Sequence, residues 1–199
     1  MTTPSASKIL IQMSGAPGSG KSTIARLLRP CVNGIIIDHD VLRSSLLTST
    51  STYQFDHAAK QAYDIQWALA CDFLKQGVEA IIIDSTCNYA EVLEQGQSLA
   101  AQYGYRYWYI ECKADDIELL DQRLRARFPM PSQRSAVDCP PASAQVNGAR
   151  VGEDARARFD RWMKSPCRPH DDDIVIVVDS TTDLKMLKDN ILARMAYKL

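Results

Sequence analysis

The chain has 199 residues, a formal net charge of −1 and hydrophobic residues at 46% of its positions. This composition is typical of a globular protein and excludes a disordered or fibrous one. The length predicts a single domain over residues 1–199. The longest apolar runs have the length of strands, and the first residues lack the basic start and apolar stretch of a signal peptide. We therefore expect a soluble, cytoplasmic protein with no membrane segment.

Short β-branched runs alternate with amphipathic stretches along the chain. The predicted strands are residues 9–13, 34–37, 80–83, 105–110 and 174–178. Because these runs are continuously apolar rather than alternating, they predict strands buried on both faces, as in a parallel sheet. Helical periodicity is strongest over residues 55–76, 89–103 and 115–127, and again from about residue 183 onward. This alternation predicts a three-layer α/β fold.

One segment interrupts the alternation. Residues 128–152 are rich in proline, show no clear period and exceed the length of an ordinary connection. Residues 123–170, which include them, carry ten basic and four acidic side chains. Such a patch is either a solvated surface or a region that meets phosphate. We predict that a lid or insertion covers about residues 123–152.

The strongest motif spans residues 15–22, Gly-Ala-Pro-Gly-Ser-Gly-Lys-Ser, directly after the first predicted strand. It matches the P-loop pattern G-x-x-x-x-G-K-[ST], in which glycines let backbone N–H groups point at phosphate oxygens. Lys21 is expected to reach the β- and γ-phosphates, and Ser22 to offer its hydroxyl to Mg²⁺. The motif thus predicts binding of a nucleoside triphosphate. The predicted nucleotide-binding residues are Gly15, Ala16, Pro17, Gly18, Ser19, Gly20, Lys21, Ser22 and Thr23.

Acidic residues follow the second and third predicted strands. Asp38 and Asp40 come directly after the second strand, and Asp84 follows the third. Because the carboxyl ends of parallel strands point into the ligand crevice, these side chains should lie beside the P-loop. Asp40 is predicted to accept the proton of an attacking hydroxyl, with Asp38 as the alternative base and with capping of the next helix as the alternative role of Asp40.

Asp84 has the position of a Walker B carboxylate, which holds the Mg²⁺ shell. Ser22 and Asp84 are therefore the predicted metal ligands. Polar and basic residues near both strand ends are predicted to form the substrate side of the cleft. They are Asp38, Arg43, Thr86 and Asn88.

Two arginines end the predicted helix 115–127. Arg123 and Arg127 are four residues apart and share a face at the edge of the buried stripe. We predict that they belong to the lid and stabilise the charge on the transferring phosphoryl group. The alternative is a solvated basic helix end, which the helix dipole favours. With Lys21 and Asp40, they complete the predicted catalytic set.

Together these motifs resemble the P-loop kinases of the AAA_33 type. The resemblance rests on the P-loop, Asp-His-Asp-x-x-Arg at 38–43, Ile-Ile-Asp-Ser-Thr-x-Asn at 82–88 and Arg-x-x-x-Arg at 123–127. That group is similar to the 5′-hydroxyl kinase domain of phage polynucleotide kinase, and more loosely to chloramphenicol phosphotransferase and gluconate kinase. The resemblance covers most of the chain, from about residue 8 to residue 197.

The resemblance implies an adenylate-kinase-like P-loop NTPase core with a five-stranded parallel sheet in the order 2-3-1-4-5. It also implies ATP and Mg²⁺ as cofactors. In the polynucleotide kinase pattern the Asp aligned with Asp40 is the general base, and the Arg aligned with Arg43 contacts the acceptor side. The Arg near Arg123 belongs to the lid.

Three functions compete at this point. The leading hypothesis is an ATP-dependent kinase that phosphorylates a hydroxyl of a small molecule. The second is a kinase of the 5′-hydroxyl of a nucleoside or polynucleotide; the near-neutral charge disfavours nucleic acid as a partner, and the basic block 123–170 favours it. The third is an ATP-hydrolysing switch without an acceptor.

Overall fold

The computed structural model describes residues 8–49, 54–145 and 154–197. Five parallel strands form one sheet in the order β2-β3-β1-β4-β5, which confirms the predicted fold class and strand order. β4 continues three residues beyond its predicted end and pairs there with β5. The strands are β1 Ile9–Ser14, β2 Gly34–Asp38, β3 Ala80–Asp84, β4 Arg106–Lys113 and β5 Val175–Asp179.

Helices connect the strands, and none of those described is long and apolar enough to span a membrane. Gly77 and Gly104, both with positive φ, end α3 and α4 where the sequence predicts helix stops. The predicted helix 115–127 is shorter, because the Asp116 side chain caps its start and the helix ends at Arg125. The helices are α1 Lys21–Leu28, α2 His39–Ser49, α3 Phe55–Gln76, α4 Ala90–Tyr103, α5 Ile117–Arg125, α6 Ala142–Gln145, α7 Ala155–Lys164 and α8 Leu184–Tyr197.

The sheet is covered on both faces, as its continuously apolar strands predict. On one face, Ile24 of α1 and Ile191 of α8 pack against Ile11 and Trp108. The opposite face carries a second cluster with contributions from α3 and α4. Burial on both faces supplies most of the favourable free energy of folding.

A third apolar cluster lies beside the sheet. Its fully buried side chains include Leu120 and Leu124 of α5, Val137, and Phe159 of α7. Val137 belongs to the proline-rich segment, so this segment is anchored to the domain by apolar packing. The predicted lid is described only as far as residue 145, and residues 146–152 lie outside the described residues.

A buried polar group sits between β1 and α4. The amide nitrogen of Gln12 donates to the carbonyl oxygen of Val92 at 3.0 Å, and the Tyr107 hydroxyl donates to the Gln12 amide oxygen at 2.7 Å. Gly96 of α4 passes so close that an added Cβ would lie 2.2 Å from that oxygen. The close approach of α4 to the sheet therefore requires glycine at this position.

Gly96→Ala tests this close approach. Alanine ordinarily stabilises a helix interior by about 1 kcal/mol relative to glycine. Here we expect a loss of about 2 kcal/mol in the free energy of unfolding, because the new methyl group displaces a buried hydrogen-bonded amide. Urea denaturation measures the change, and Ser98→Ala on the exposed side of α4 is the control. Equal or greater stability of Gly96→Ala would show that α4 can move away from β1.

Candidate active site

The P-loop, residues 15–22, joins β1 to α1 in a conformation that its glycines make possible. Gly15, Gly18 and Gly20 have φ of 129°, 86° and 91°. A Cβ on Gly15 would lie 2.3 Å from the carbonyl oxygen of Cys112, at the end of β4. Nothing larger than glycine fits there. α1 begins at Lys21 with no side chain capping its N-terminus, so its first N–H groups face the loop.

Lys21 is buried at the mouth of the loop. Its ammonium donates to the carbonyl oxygens of Gly15 at 2.8 Å and Ala16 at 3.0 Å. Burial lowers the pKa of Lys21, and the nearby carboxylates of Asp84 and Asp40 oppose this effect. The arrangement places one positive charge beside two negative ones where the motif places the phosphates of a nucleotide.

Three carboxylates converge at the ends of β2 and β3. Asp38 and Asp84 are register partners on neighbouring strands. Burial raises the pKa of Asp84, although a hydrogen bond from the Ser22 hydroxyl lowers it. Burial and the charges of Asp84 and Asp40 raise the pKa of Asp38 to about 6. This crowding of negative charge is typical of a site that takes a cation.

Asp38 and Asp40 have different surroundings. An oxygen of Asp38 accepts the backbone N–H groups of Asp40 at 2.9 Å and Val41 at 3.3 Å, so Asp38 caps α2. The Asp40 carboxylate instead accepts a hydrogen bond from the Gln133 amide at 2.8 Å. The capping role considered for Asp40 therefore belongs to Asp38.

The donor set fits Mg²⁺. Ser22 supplies a hydroxyl and Asp84 a carboxylate, the oxygen ligands that this hard cation prefers. Among the residues that the structure describes, no three His, Cys, Asp or Glu side chains form a self-sufficient metal site. A cation held by one or two protein oxygens and by the phosphates of its nucleotide matches this arrangement.

The two predicted lid arginines point to different ends of the site. Arg123 donates to the carbonyl oxygen of Ser180 at 2.9 Å and to its hydroxyl at 3.1 Å, which fixes the guanidinium between the P-loop and the loop after β5. Arg127 lies beyond the end of α5 and donates to the carbonyl oxygen of Arg134 at 3.1 Å. Burial lowers the pKa of Arg127, and the negative charge of Asp40 opposes this effect.

A cleft of about 1300 Å³ contains these groups. One end lies between the P-loop, Arg123 and Ser180, and the other between α3 and the start of α4. Thr86 and Asn88 line this second end, as predicted for the substrate side. Arg43 also lines it, but its guanidinium stacks 3.6 Å above the Phe55 ring and donates to the Phe55 carbonyl oxygen.

Sequence reasoning missed several residues of the cleft. Ser132, Gln133 and Arg134 belong to the proline-rich segment, and the sequence showed only that this segment is unusual. Tyr63 and Trp67 of α3 also line the cleft, although their helical spacing is equally typical of a core stripe. Their spacing of four residues, which places both rings on one face of the helix, was the sequence feature that could have indicated them.

The family model AAA_33, an AAA domain, matches residues 10–140. This chain belongs to the AAA_33 family. No curated protein shows significant similarity to the AAA_33 chain described here. Its fold is that of the P-loop kinases, as solved structures show.

Three solved structures illustrate this likeness. A provisionally assigned kinase of Chloroflexus aurantiacus has a TM-score of 0.70 and 17% identity, covering 97% of this chain and 98% of that one. A sugar kinase of Janibacter sp. has a TM-score of 0.61 and 14% identity, covering 95% of each chain. APS kinase of Mycobacterium tuberculosis, in complex with AMPPNP and APS, has a TM-score of 0.58 and 14% identity, covering 96% and 98%. At these identities the likeness concerns the fold.

Asp38→Asn tests the crowding of the three carboxylates. Because folding raises the pKa of Asp38 from 3.8 to about 6, the folded state binds more protons than the unfolded state between these values. This contribution to stability is therefore present at low pH and is lost as the pH rises through about 6. Asparagine retains an oxygen for capping α2 and never acquires the charge, so the variant should gain stability relative to the unmodified chain as the pH rises.

Urea denaturation from pH 4.5 to 7.5 without Mg²⁺ measures this difference. Asp72→Asn removes an exposed carboxylate of α3 and controls for net charge. A stability difference for Asp38→Asn that does not vary with pH would show that neither burial nor the neighbouring carboxylates raise the pKa of Asp38.

Proposed function

We propose that this AAA_33 protein is an ATP-dependent kinase that transfers the γ-phosphate to a hydroxyl of a small molecule. The supporting observation is the position of Asp40, whose carboxylate lies in the cleft between the phosphate-binding groups and the substrate side. A carboxylate so placed can accept the proton of a hydroxyl as it attacks the γ-phosphate.

The remaining groups act on charge and position. The P-loop N–H groups and Lys21 bind the phosphates and neutralise their charge. Arg127, whose pKa is influenced by the charge of Asp40, stabilises the charge that spreads over the transferring group. Arg123 connects the P-loop to the loop after β5 through its hydrogen bonds, at the nucleotide end of the cleft. Mg²⁺, held through Ser22 and Asp84, would supply further neutralisation of the phosphates.

The substrate end of the cleft favours a small molecule over a polynucleotide. Three acidic side chains line it between α3 and α4. The basic side chains there are Lys60 and Arg43, and the guanidinium of Arg43 already contacts Phe55. A chain of phosphates would be repelled here. The acidic residues are Asp56, Asp64 and Glu91.

The basic block 123–170 is the observation that favours a polynucleotide. Several of its basic side chains pair with carboxylates, which reduces the net positive charge that the block offers to a polynucleotide. Stacking of Arg134 near the Phe159 and Trp162 rings also holds that cation inside the protein. The ion pairs are Arg125 with Asp121 and Asp138, Arg156 with Glu118, Lys164 with Asp160 and Arg168 with Glu111.

The first experiment is ATP turnover with Mg²⁺ and a panel of sugars, nucleosides, amino alcohols and 5′-hydroxyl oligonucleotides. We expect one class of small alcohol to increase ADP release many-fold and to gain a phosphate group. Phosphorylation of the oligonucleotides, falling steeply as salt rises, would instead establish the polynucleotide alternative. Slow hydrolysis that no acceptor changes would favour the switch.

Asp40→Asn tests the proposed base. Loss of a positioned general base reduces rates by about 10²–10⁴-fold, so the transfer rate should fall in this range. Nucleotide affinity, measured by titration calorimetry with a non-hydrolysable ATP analogue, should stay within about twofold because the P-loop is unaltered. Unchanged transfer would exclude Asp40 as the base. Asp72→Asn is the matched control on α3, outside the cleft.

A further inference from the structure

The proline-rich segment reaches the carboxylate of Asp40 through two neighbouring residues. The Gln133 amide nitrogen lies 2.8 Å from Asp40 Oδ2. The Ser132 hydroxyl lies 3.3 Å from Asp40 Oδ1 and 3.1 Å from the Asp40 carbonyl oxygen. Both contacts join residues more than 90 positions apart in the chain. They therefore fix the segment against α2 at the carboxylate proposed as the general base.

The side chain of Gln133 has a defined orientation. Residues 130–133 form a turn in which the Gln133 N–H donates to the Met130 carbonyl oxygen at 2.8 Å. The Met130 N–H in turn donates to Gln133 Oε1 at 3.2 Å. Because the amide oxygen accepts this N–H group, the amide nitrogen faces Asp40 and acts as a donor. A carboxylate oxygen with a fixed donor has a fixed direction for its remaining lone pairs.

Ser132 secures the turn from the other side. It is 5% exposed, and its hydroxyl accepts a hydrogen bond from the Ser44 hydroxyl at 2.9 Å. The Ser132 N–H donates to the Ser44 hydroxyl oxygen at 3.2 Å. Ser44 lies one helical turn after Asp40 on α2. The turn is thus held to the helix that carries the carboxylate by a buried, reciprocal pair of bonds.

The same segment also reaches the arginine side of the cleft. Arg127 donates to the carbonyl oxygen of Arg134, the residue after Gln133. The Asp121 carboxylate accepts the Val137 N–H at 2.8 Å and binds the segment to α5. The adjacent residues Gln133 and Arg134 therefore contact Asp40 and Arg127, the carboxylate and the cation to which the proposed function assigns the proton and the charge of the transferring group.

We propose that Gln133 is a positioning residue for Asp40, whose amide orients the carboxylate toward the acceptor hydroxyl. This inference rests on the proposed function, in which Asp40 is the general base. The side chain of Gln133 contacts Met130 and Asp40, so its effect on the reaction runs through Asp40. Its removal should consequently lower kcat and leave the KM for ATP unchanged.

The test uses Mg·ATP with water as the acceptor, so that no alcohol has to be known. Misplacement of a reacting group by about 1 Å can cost about 10²-fold in rate, and we expect Gln133→Ala to slow hydrolysis by about 10–100-fold. Gln133→Glu keeps an oxygen for the Met130 N–H but turns a carboxylate oxygen toward Asp40, so it should be slowed at least as much. Gln102→Ala, on an exposed position of α4, should hydrolyse ATP normally.

The double variant Asp40→Asn/Gln133→Ala distinguishes positioning from general damage. If Gln133 acts through Asp40, its replacement changes hydrolysis by less than about twofold in the Asp40→Asn background. Single-turnover assays with radiolabelled ATP and excess protein make the slow residual rate measurable. An equal loss in both backgrounds, a raised KM for ATP or a normal rate for Gln133→Ala would overturn the inference.

Failure of the proposed base can be recognised separately. If Asp40→Asn alone hydrolyses ATP at the normal rate, the assignment of the base is wrong, and the role of Gln133 is wrong with it. If Asp40→Asn is slow but Gln133→Ala is normal, only the positioning role is overturned. Urea denaturation midpoints that stay close to that of the unmodified chain for every variant exclude loss of the folded state as the cause.

Discussion

The site depends on the close contact between the P-loop and the end of β4. Gly15 lies so near the Cys112 carbonyl oxygen that no Cβ fits between them. A Cβ on Gly18 would lie 3.2 Å from the carbonyl oxygen of Leu120 in α5, so that helix packs directly on the loop. The sheet, the P-loop and the helix that carries Arg123 thus form one packed unit. Groups that bind phosphate and groups that cover it keep a fixed separation because of this packing.

The same packing creates an electrostatic cost. Burial disfavours the charge of Lys21 and of the carboxylates at the ends of β2 and β3, and the neighbouring carboxylates further oppose ionisation of Asp38. An enzyme that binds a triphosphate with a divalent cation gains from this arrangement, because the ligand supplies the missing counter-charges. Stability and function therefore oppose each other at the carboxyl ends of β2 and β3, whereas the apolar layers around the sheet favour stability alone.

Local patterns explain how much could be predicted from the sequence. The apolar runs of β1 and β3, the glycines that end α3 and α4, and the P-loop motif each depend on a few neighbouring residues. The bond between Asp40 and Gln133 joins positions 93 residues apart and depends on the path of a segment without periodicity. The sequence also could not predict that Asp38 rather than Asp40 caps α2. Both residues have a side chain suited to a cap, and the position at which the helix begins determines which of them caps it.

The two ends of the cleft differ in charge, and this difference bears on the chemical class of the proposed acceptor. Lys21 and Arg123 lie at the P-loop end, whereas Asp56, Asp64 and Glu91 line the end between α3 and α4. Asp40 lies where the two halves meet. A phosphorylated acceptor would compete with ATP for the basic half and be repelled by the acidic one. An uncharged or cationic alcohol avoids both penalties, so the charge pattern supports the proposal of a small alcohol as the acceptor.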